Sequence, residues 1–229
     1  MASVLLIRHG QARFGTADYD RLSDVGQEQS RRLGRWLKHA GDVPDLVVVG
    51  PLRRHAHTAE LCVEAAGVSA PRLTIAGLDE FDHEEVLARH RPDLAAHDVL
   101  TAELAKLDDP QRAFQRLFSD AVARWTGGEF DHEYTRSWPA FRAAVMDAMQ
   151  ALAAQPARRI WAFTSGGPIA VIANALVGAP IAEAFTLSWP LVNTSTSRIS
   201  IGPQRCRLIS YNGWPHLEGA DAKAMVTYR

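Results

Sequence analysis

The chain has 229 residues, of which 47% are hydrophobic and 22% are charged, a balance that suits one ordinary domain or a core domain with an insertion. Lysine and arginine number 25 against 26 aspartates and glutamates, so no global field favours nucleic acid or an anionic membrane as a partner. The isolated Cys62 and Cys206 argue against a disulfide framework and a structural zinc site. With no apolar segment long enough for a signal peptide or a bilayer span, we expect a soluble cytoplasmic protein.

Strands and helices alternate in the first third of the chain. A short apolar run that stops at Arg8 predicts a buried strand, and the glycine after His9 lets the backbone turn sharply. The elements expected next are a helix from Ser23 or Asp24 to Gly41, a strand over 45–49, a helix that ends at Gly67 and a strand over 72–75. This order predicts a parallel sheet with right-handed crossovers.

The middle of the chain departs from this alternation. Residues 83–156 show consecutive helical patterns with aromatic stripes, which are typical of core packing. We interpret them as a helical insertion, a lid over one end of the sheet. A strand over 159–164, a helix over 169–177 and an edge hairpin around Gly202 follow. We therefore expect one domain over 1–229, a three-layer α/β/α sandwich whose sheet is mostly parallel with an antiparallel edge strand.

Three strand-to-helix junctions carry residues that suit an anion site. In a parallel sheet these junctions share the carboxyl edge, where helix N-termini present free N–H groups. Two arginine side chains with planar donor forks make phosphate the best-matched anion. The acidic stretch over 79–85 falls on the same edge and would bring Glu80 or Asp82 near it. The junctions are Arg8-His9-Gly10-Gln11, Gly50-Pro51-Leu52-Arg53-Arg54 and Ser165-Gly166-Gly167-Pro168.

His9 beside Arg8 in a phosphate pocket indicates nucleophilic catalysis. Neutral imidazole is available at physiological pH, and arginine guanidinium groups would neutralise a phosphoryl group as it transfers to nitrogen. A nearby carboxyl group could protonate the departing alkoxide, and water would then hydrolyse the phosphohistidine.

These residues resemble the motifs of the histidine phosphatases, also called the phosphoglycerate mutase-like superfamily. The matching segments are collinear and leave out only the helical middle of the chain. They are Arg8-His9-Gly10-Gln11, Leu22-Ser23-Asp24-Val25-Gly26, Pro51-Leu52-Arg53-Arg54 with Thr58-Ala59, Leu78-Asp79-Glu80, Gly166-Gly167-Pro168-Ile169 and Asn212-Gly213-Trp214-Pro215-His216-Leu217.

The resemblance implies a role for each matching residue. His9 would be the phosphorylated nucleophile, Arg8 and Arg54 would bind phosphate, Glu80 would donate the proton and Gln11 would border the pocket. Arg53 competes with Arg54 for the second arginine, and the spacing to the threonine at position 58 favours Arg54. The resemblance implies no metal and no organic cofactor.

The chain departs from the family pattern at four places. Ser165 stands where the family has a second histidine, although its hydroxyl and the Gly166 amide could still bind phosphate. Gly50 replaces a usual serine, His55 replaces a small residue, and Phe81-Asp82-His83-Glu84-Glu85 replaces a tyrosine-glycine pattern.

The histidines divide into two candidates and a remainder. We hypothesise that His83 replaces the missing second histidine, a role that full turnover in His83→Ala would rule out. His216 is expected to have a structural role near the sheet edge. The histidines expected to be most simply exposed are His55, His57, His90, His97 and His132.

We predict a phosphoric monoester hydrolase, a metal-independent phosphatase that forms a phosphohistidine at His9. Its partner would be a phosphorylated small molecule or a phosphoprotein, between which the sequence does not choose. One alternative is a family member that binds phospho-ligands with little turnover. Another is a phosphoglycerate-type mutase, which Ser165 disfavours because a mutase must hold its phosphorylated intermediate against water.

Overall fold

A computed structural model describes residues 2–13, 20–202 and 205–228, apart from the side chain at position 182. In these ranges the strands are β1 (Ala2–Arg8), β2 (Leu46–Val49), β3 (Arg72–Thr74), β4 (Arg159–Thr164), β5 (Thr196–Ile201) and β6 (Cys206–Gly213). The helices are α1 (Asp24–His39), α2 (Arg53–Ala66), α3 (His83–His90), α4 (His97–Leu104), α5 (Pro110–Thr126), α6 (Trp138–Ala153), α7 (Gly166–Val177), α8 (Ala184–Ser188) and α9 (Ala222–Met225).

The six strands form one sheet in the order β3-β2-β4-β1-β5-β6. Strands β3, β2, β4 and β1 are parallel, while β5 runs antiparallel to β1 and β6 antiparallel to β5. The register pairs Arg8 with Thr164, so β1 and β4 end at the same level. The expected α/β sandwich, with a mostly parallel sheet and an antiparallel edge, is confirmed.

Helices α1 and α2 cover one face of the sheet. The pleat of each strand sends alternate side chains to this face, where they meet apolar residues of both helices. Burial of this cluster is what stabilises the two helices against the sheet. It contains Leu5, Ile7, Leu33, Leu37, Val47, Val49, Ala59, Cys62, Ala66, Trp161 and Phe163.

Helix α7 follows β4 and contacts β1 and β6. Residues 166–174 of this helix are all buried, which explains its lack of charged residues. A helix that is apolar all round belongs in the interior. Its N-terminus consequently opens at the carboxyl end of the parallel strands, beside the end of β1.

The contacts divide the chain into two compact units, Met1–Glu80 with Ala144–Arg229 and Phe81–Ala143. The second unit has an aromatic cluster of its own, in which the ring centroid of Phe81 lies 5.0 Å from that of Trp125 and 6.0 Å from that of Phe141. The predicted helical middle is helical, and its role as a lid stays a prediction. No helix in the described ranges is both long and apolar enough to cross a membrane.

Candidate active site

Strand β1 delivers His9 to the carboxyl edge of the sheet. The side chain is only 5% exposed, and the backbone N–H donates to the Thr164 carbonyl at 2.9 Å. Nδ1 lies 2.7 Å from the carbonyl oxygen of Gly10. Because a carbonyl only accepts, Nδ1 carries the proton, and the neutral ring keeps its lone pair at Nε2.

The turn after His9 is tied to α1 and α2. A Cβ at Gly10 would lie 2.4 Å from the carbonyl oxygen of Gly26 in α1, so only glycine permits this approach. The Gly10 N–H donates to the Thr58 hydroxyl at 3.0 Å, and that hydroxyl donates to the Arg54 carbonyl at 2.7 Å. The nucleophile candidate and the second arginine are therefore linked through one threonine.

The electrostatic surroundings keep His9 neutral. Burial is the main cause that holds the pKa of His9 well below its ordinary value of 6.5; the charges of Arg54 and Arg8 and the neighbouring His55 act in the same direction. The hydrogen bond to Gly10 opposes the shift. An unprotonated ring is the form that can act as a nucleophile.

Arg54 is buried, with 6% of its surface exposed, whereas Arg53 is exposed. Nη1 of Arg54 donates to Oδ1 of Asp20 at 2.9 Å. The other oxygen of Asp20 accepts the backbone N–H of Arg53 at 2.8 Å. Asp20 thus both caps the start of α2 and orients the buried guanidinium, a function that the sequence reasoning missed.

Arg8 lies between the end of β1 and the C-terminal segment of the chain. Its Nη1 donates to the Leu191 carbonyl, and its Nη2 donates to the Tyr228 carbonyl at 2.9 Å. A Cβ at Gly166 would lie 3.8 Å from Nε of Arg8. The first arginine therefore lies beside the first residue of α7.

Glu80 lies at the N-terminus of α7. Its Oε2 accepts the backbone N–H of Gly167 at 3.2 Å. Asp82, the competing acid, caps α3 by accepting the N–H groups of Glu84 and Glu85. The hydrogen bond to Gly167 thus places Glu80 beside the segment that carries Ser165 and Gly166.

Ser165 is the N-cap residue of α7 by position, yet its hydroxyl makes no capping bond to a described amide of that helix. The hydroxyl instead lies 2.7 Å from Nε2 of His55. Both side chains are fully buried. The expectation that His55 is exposed is therefore wrong. Its ring fills space beside the backbone of Gly50, which has no Cβ to exclude it.

His55 also adjoins the nucleophile candidate, since the ring centroids of His9 and His55 are 5.8 Å apart. Burial, supported by the charge of Arg54 and opposed by the Gly50 backbone, lowers the pKa of His55 to about 3. The second histidine of this site comes from α2 and not from the end of β4.

The structure also describes two further residues that the sequence predicted for the site. Gln11 uses its side-chain oxygen to accept the hydroxyl proton of Ser23 at 2.8 Å, and its N–H donates to Gln29 at 2.9 Å. Its place at the pocket border stays a prediction. His83 is the first residue of α3 and half-buried, and its auxiliary role also stays a prediction.

The segment before β5 supports the His9 backbone and was not recognised in the sequence. Nδ2 of Asn193 donates to the His9 carbonyl at 3.1 Å. The N–H of Thr194 donates to the same carbonyl at 3.2 Å and to that of Arg8 at 3.1 Å. The Thr194 hydroxyl lies 2.9 Å from Nε2 of the buried His216. These contacts depend on strand pairing, which leaves no local signal.

Several curated proteins and solved structures are similar to this chain. A 2,3-bisphosphoglycerate-dependent phosphoglycerate mutase from Methylorubrum extorquens is 32% identical over 142 residues, covering 59% of this chain and 54% of that protein. A protein of the same description from Thermobifida fusca is 39% identical over 75 residues, or 30% of each chain. The chain thus matches about half or less of the length of these relatives.

The structural neighbours are similar in fold. The alpha-ribazole phosphatase from Shigella flexneri has a TM-score of 0.63 and 22% identity, with 92% of this chain and 96% of that chain covered. A phosphoserine phosphatase from Entamoeba histolytica has a TM-score of 0.62 and 16% identity, with coverage of 95% and 100%.

A family model described as "Histidine phosphatase superfamily (branch 1)" matches residues 4–125 and 108–213. These matches run from β1 to the end of β6 and include both junctions that carry Arg8 and Arg54. The chain belongs to the histidine phosphatase superfamily, branch 1.

Proposed function

We propose that this protein is a metal-independent phosphatase that hydrolyses phosphomonoesters through a phosphohistidine at His9. The observation that carries the proposal is the fixed tautomer of His9. Its Nδ1 is held on the Gly10 carbonyl, and its Nε2 is the remaining ring nitrogen, beside the positive charges of Arg54 and Arg8. A neutral nucleophile in a cationic setting suits attack on a phosphoryl group.

In the first step the lone pair of His9 Nε2 attacks phosphorus while the bond from phosphorus to the ester oxygen breaks. Arg8 and Arg54 would neutralise the phosphoryl oxygens, which carry most of the charge in this transition state. The leaving oxygen takes a proton from the carboxyl group of Glu80, which acts as general acid. The alcohol departs, and the phosphoryl group remains on nitrogen.

In the second step water attacks the phosphorus and the bond to Nε2 breaks. The carboxylate of Glu80 takes a proton from the attacking water. Inorganic phosphate leaves, and His9 returns to its neutral form. The substrate would be a phosphorylated small molecule or a phosphoprotein in the cytoplasm.

A phosphoglycerate mutase is the second candidate, and the sequence relatives favour it. Such an enzyme returns the phosphoryl group to an alcohol and must keep water away from the intermediate. Ser165 supplies no positive charge where the family has a histidine, which weakens stabilisation of that intermediate. This difference favours hydrolysis over transfer.

The test is a screen of sugar, nucleotide and amino-acid phosphates together with a generic aryl phosphate, run with and without a chelator. We expect turnover that resists the chelator and that His9→Ala reduces by at least about 10⁴-fold. His57→Ala, on the same helix as Arg54, is the matched control and should keep wild-type turnover.

Three results would contradict the proposal. Turnover that survives in His9→Ala would exclude His9 as nucleophile. Interconversion of phosphoglycerates that depends on 2,3-bisphosphoglycerate, without net phosphate release, would establish the mutase. Absence of turnover at every pH, with tight binding of inorganic phosphate, would establish a binding member of the family.

A further inference from the structure

Three departures from the family pattern meet at one point in the structure. They lie on three structural segments: Gly50 after β2, His55 nearby in α2, and Ser165 far along the chain after β4. Nε2 of His55 lies 2.7 Å from the Ser165 hydroxyl. A Cβ at Gly50 would lie 2.3 Å from Nδ1 of His55 and 2.5 Å from the Leu78 carbonyl. The ring therefore requires the glycine and contacts the serine.

The contact between His55 and Ser165 is buried. Both side chains have 0% exposure, so neither has water to replace a lost partner. Nδ1 of His55 has no hydrogen bond of normal geometry to a described group, and the Gly50 backbone beside it is the smallest of the influences on the ring's pKa. The contact of Nε2 with Ser165 is therefore the well-formed hydrogen bond of this ring among the described groups. An unpaired buried polar atom is costly, so these two side chains depend on each other.

The pair lies next to the proposed nucleophile. Ser165 directly follows Thr164, whose carbonyl accepts the N–H of His9 at 2.9 Å. The ring centroid of His55 is 5.8 Å from that of His9. The pair therefore lies where a second histidine at the end of β4 would lie in the family, but its imidazole comes from α2.

We propose that His55 and Ser165 act as one unit in place of the second histidine of the family. The hydroxyl of Ser165 donates to a phosphoryl oxygen at His9, and Nε2–H of His55 donates to Ser165 Oγ and thereby orients that hydroxyl. A hydroxyl has a single proton. It can donate that proton to an anionic oxygen only if it is the acceptor in its hydrogen bond with the His55 ring. His55 is thus a positioning residue. This inference rests on the proposed phosphohistidine at His9.

The first experiment compares single and double variants in steady-state phosphatase assays. His55→Met keeps the volume of the side chain and removes the donor, whereas His55→Gln keeps an N–H near the position of Nε2. We expect Ser165→Ala and His55→Met each to reduce kcat/KM by about 10- to 100-fold, chiefly in kcat. The double variant should lose no more than either single variant, and His55→Gln should recover most of the loss.

The matched control is His57→Met on the same helix, which should keep wild-type kinetics. Losses that multiply in the double variant, or wild-type kinetics in His55→Met, would overturn the inference. A merely structural role for His55 would lower the unfolding midpoint in His55→Gln without recovery of kcat, which would also overturn it.

A second experiment exchanges the two side chains. Ser165→His alone should inactivate the enzyme because the new ring meets His55 in a fully buried space. The double variant Ser165→His with His55→Ala restores the family arrangement and should recover at least about tenfold over the Ser165→His variant. No recovery in a double variant that folds would contradict the coupling.

Failure of the proposed function is distinguishable from failure of this inference. If the wild type shows no turnover, the proposed function fails, and calorimetric titration with inorganic phosphate decides the inference. The phosphate dissociation constant should then rise at least about threefold in Ser165→Ala and His55→Met and stay unchanged in His57→Met. An unchanged constant in all three variants would overturn it.

Discussion

The parallel and antiparallel sides of the sheet contribute different groups to the candidate site. The segments that follow the parallel strands β1, β2 and β4 carry side chains that can react or carry charge, among them His9, Arg54 and Ser165. The antiparallel side contributes backbone and amide groups. Asn193 and Thr194 hold the His9 carbonyl, and the Leu191 carbonyl holds Arg8. The reacting groups and the groups that fix their geometry therefore come from separate parts of the sheet.

One residue on the antiparallel side, Thr194, adopts a strained backbone conformation. Thr194 has a φ of 60°, a left-handed conformation that costs a β-branched residue about 1–2 kcal/mol. That cost is offset by three contacts of Thr194. Its N–H donates to the carbonyls of Arg8 and His9, and its hydroxyl contacts His216.

The largest effect should come from the parallel side. Arg54→Gln removes a buried positive charge beside His9, and we expect kcat/KM to fall by about 10²- to 10³-fold. Arg53→Gln, one residue earlier and exposed, is the matched control and should stay within about twofold of wild type. Steady-state phosphatase kinetics measure both. An equal loss in the Arg53 variant would show that the two arginines share the role.

A smaller effect is expected on the antiparallel side. Asn193→Ala removes the donor to the His9 carbonyl, and we expect kcat to fall about tenfold. Asn174→Ala removes a buried asparagine that donates to the Pro180 carbonyl at 3.1 Å, so it should cost similar stability and leave kcat unchanged. Thermal unfolding and kinetics of the two variants separate stability from positioning. If Asn193→Ala and Asn174→Ala had the same kcat, the antiparallel side would not position His9.

A third effect concerns the pH dependence of stability and not the reaction. Burial, with the charge of Arg32, lowers the pKa of His216 from 6.5 to about 3. Between these values the unfolded chain binds the proton and the folded chain does not, so the free energy of unfolding falls as the pH falls below 6.5. The loss is about 1.4 kcal/mol per pH unit for this histidine.

His216→Gln removes this titration and keeps a polar partner for Thr194. Urea unfolding at pH 7 and pH 5 should show a loss in stability that is about 2 kcal/mol smaller in the variant than in wild type. His97→Gln, at an exposed position, should match wild type. The same slope in all three proteins would exclude His216 as the titrating group.

Much of the fold was predictable because it follows from local patterns. Ser23 caps α1 by accepting the N–H of Gly26, and Gly67 ends α2 with a φ of 66°, as turn and capping chemistry predict. The alternation of strands and helices indicated the parallel sheet. The position of His55 was not predictable, because its burial depends on a glycine in another segment and a serine more than a hundred residues away.

The Arg8-His9-Gly10 motif, the collinear motifs that follow it and the order of strands and helices together indicated the family, the nucleophile candidate and the edge of the sheet where it lies. Periodicity, caps and glycine turns act over a few residues, so they can be recognised in a linear chain. Strand pairing decided the rest. Only the pairing of β2 with β4 brings Ser165 to His55, and only the pairing of β1 with β5 brings Thr194 to His9, because contacts between distant segments form when the sheet assembles.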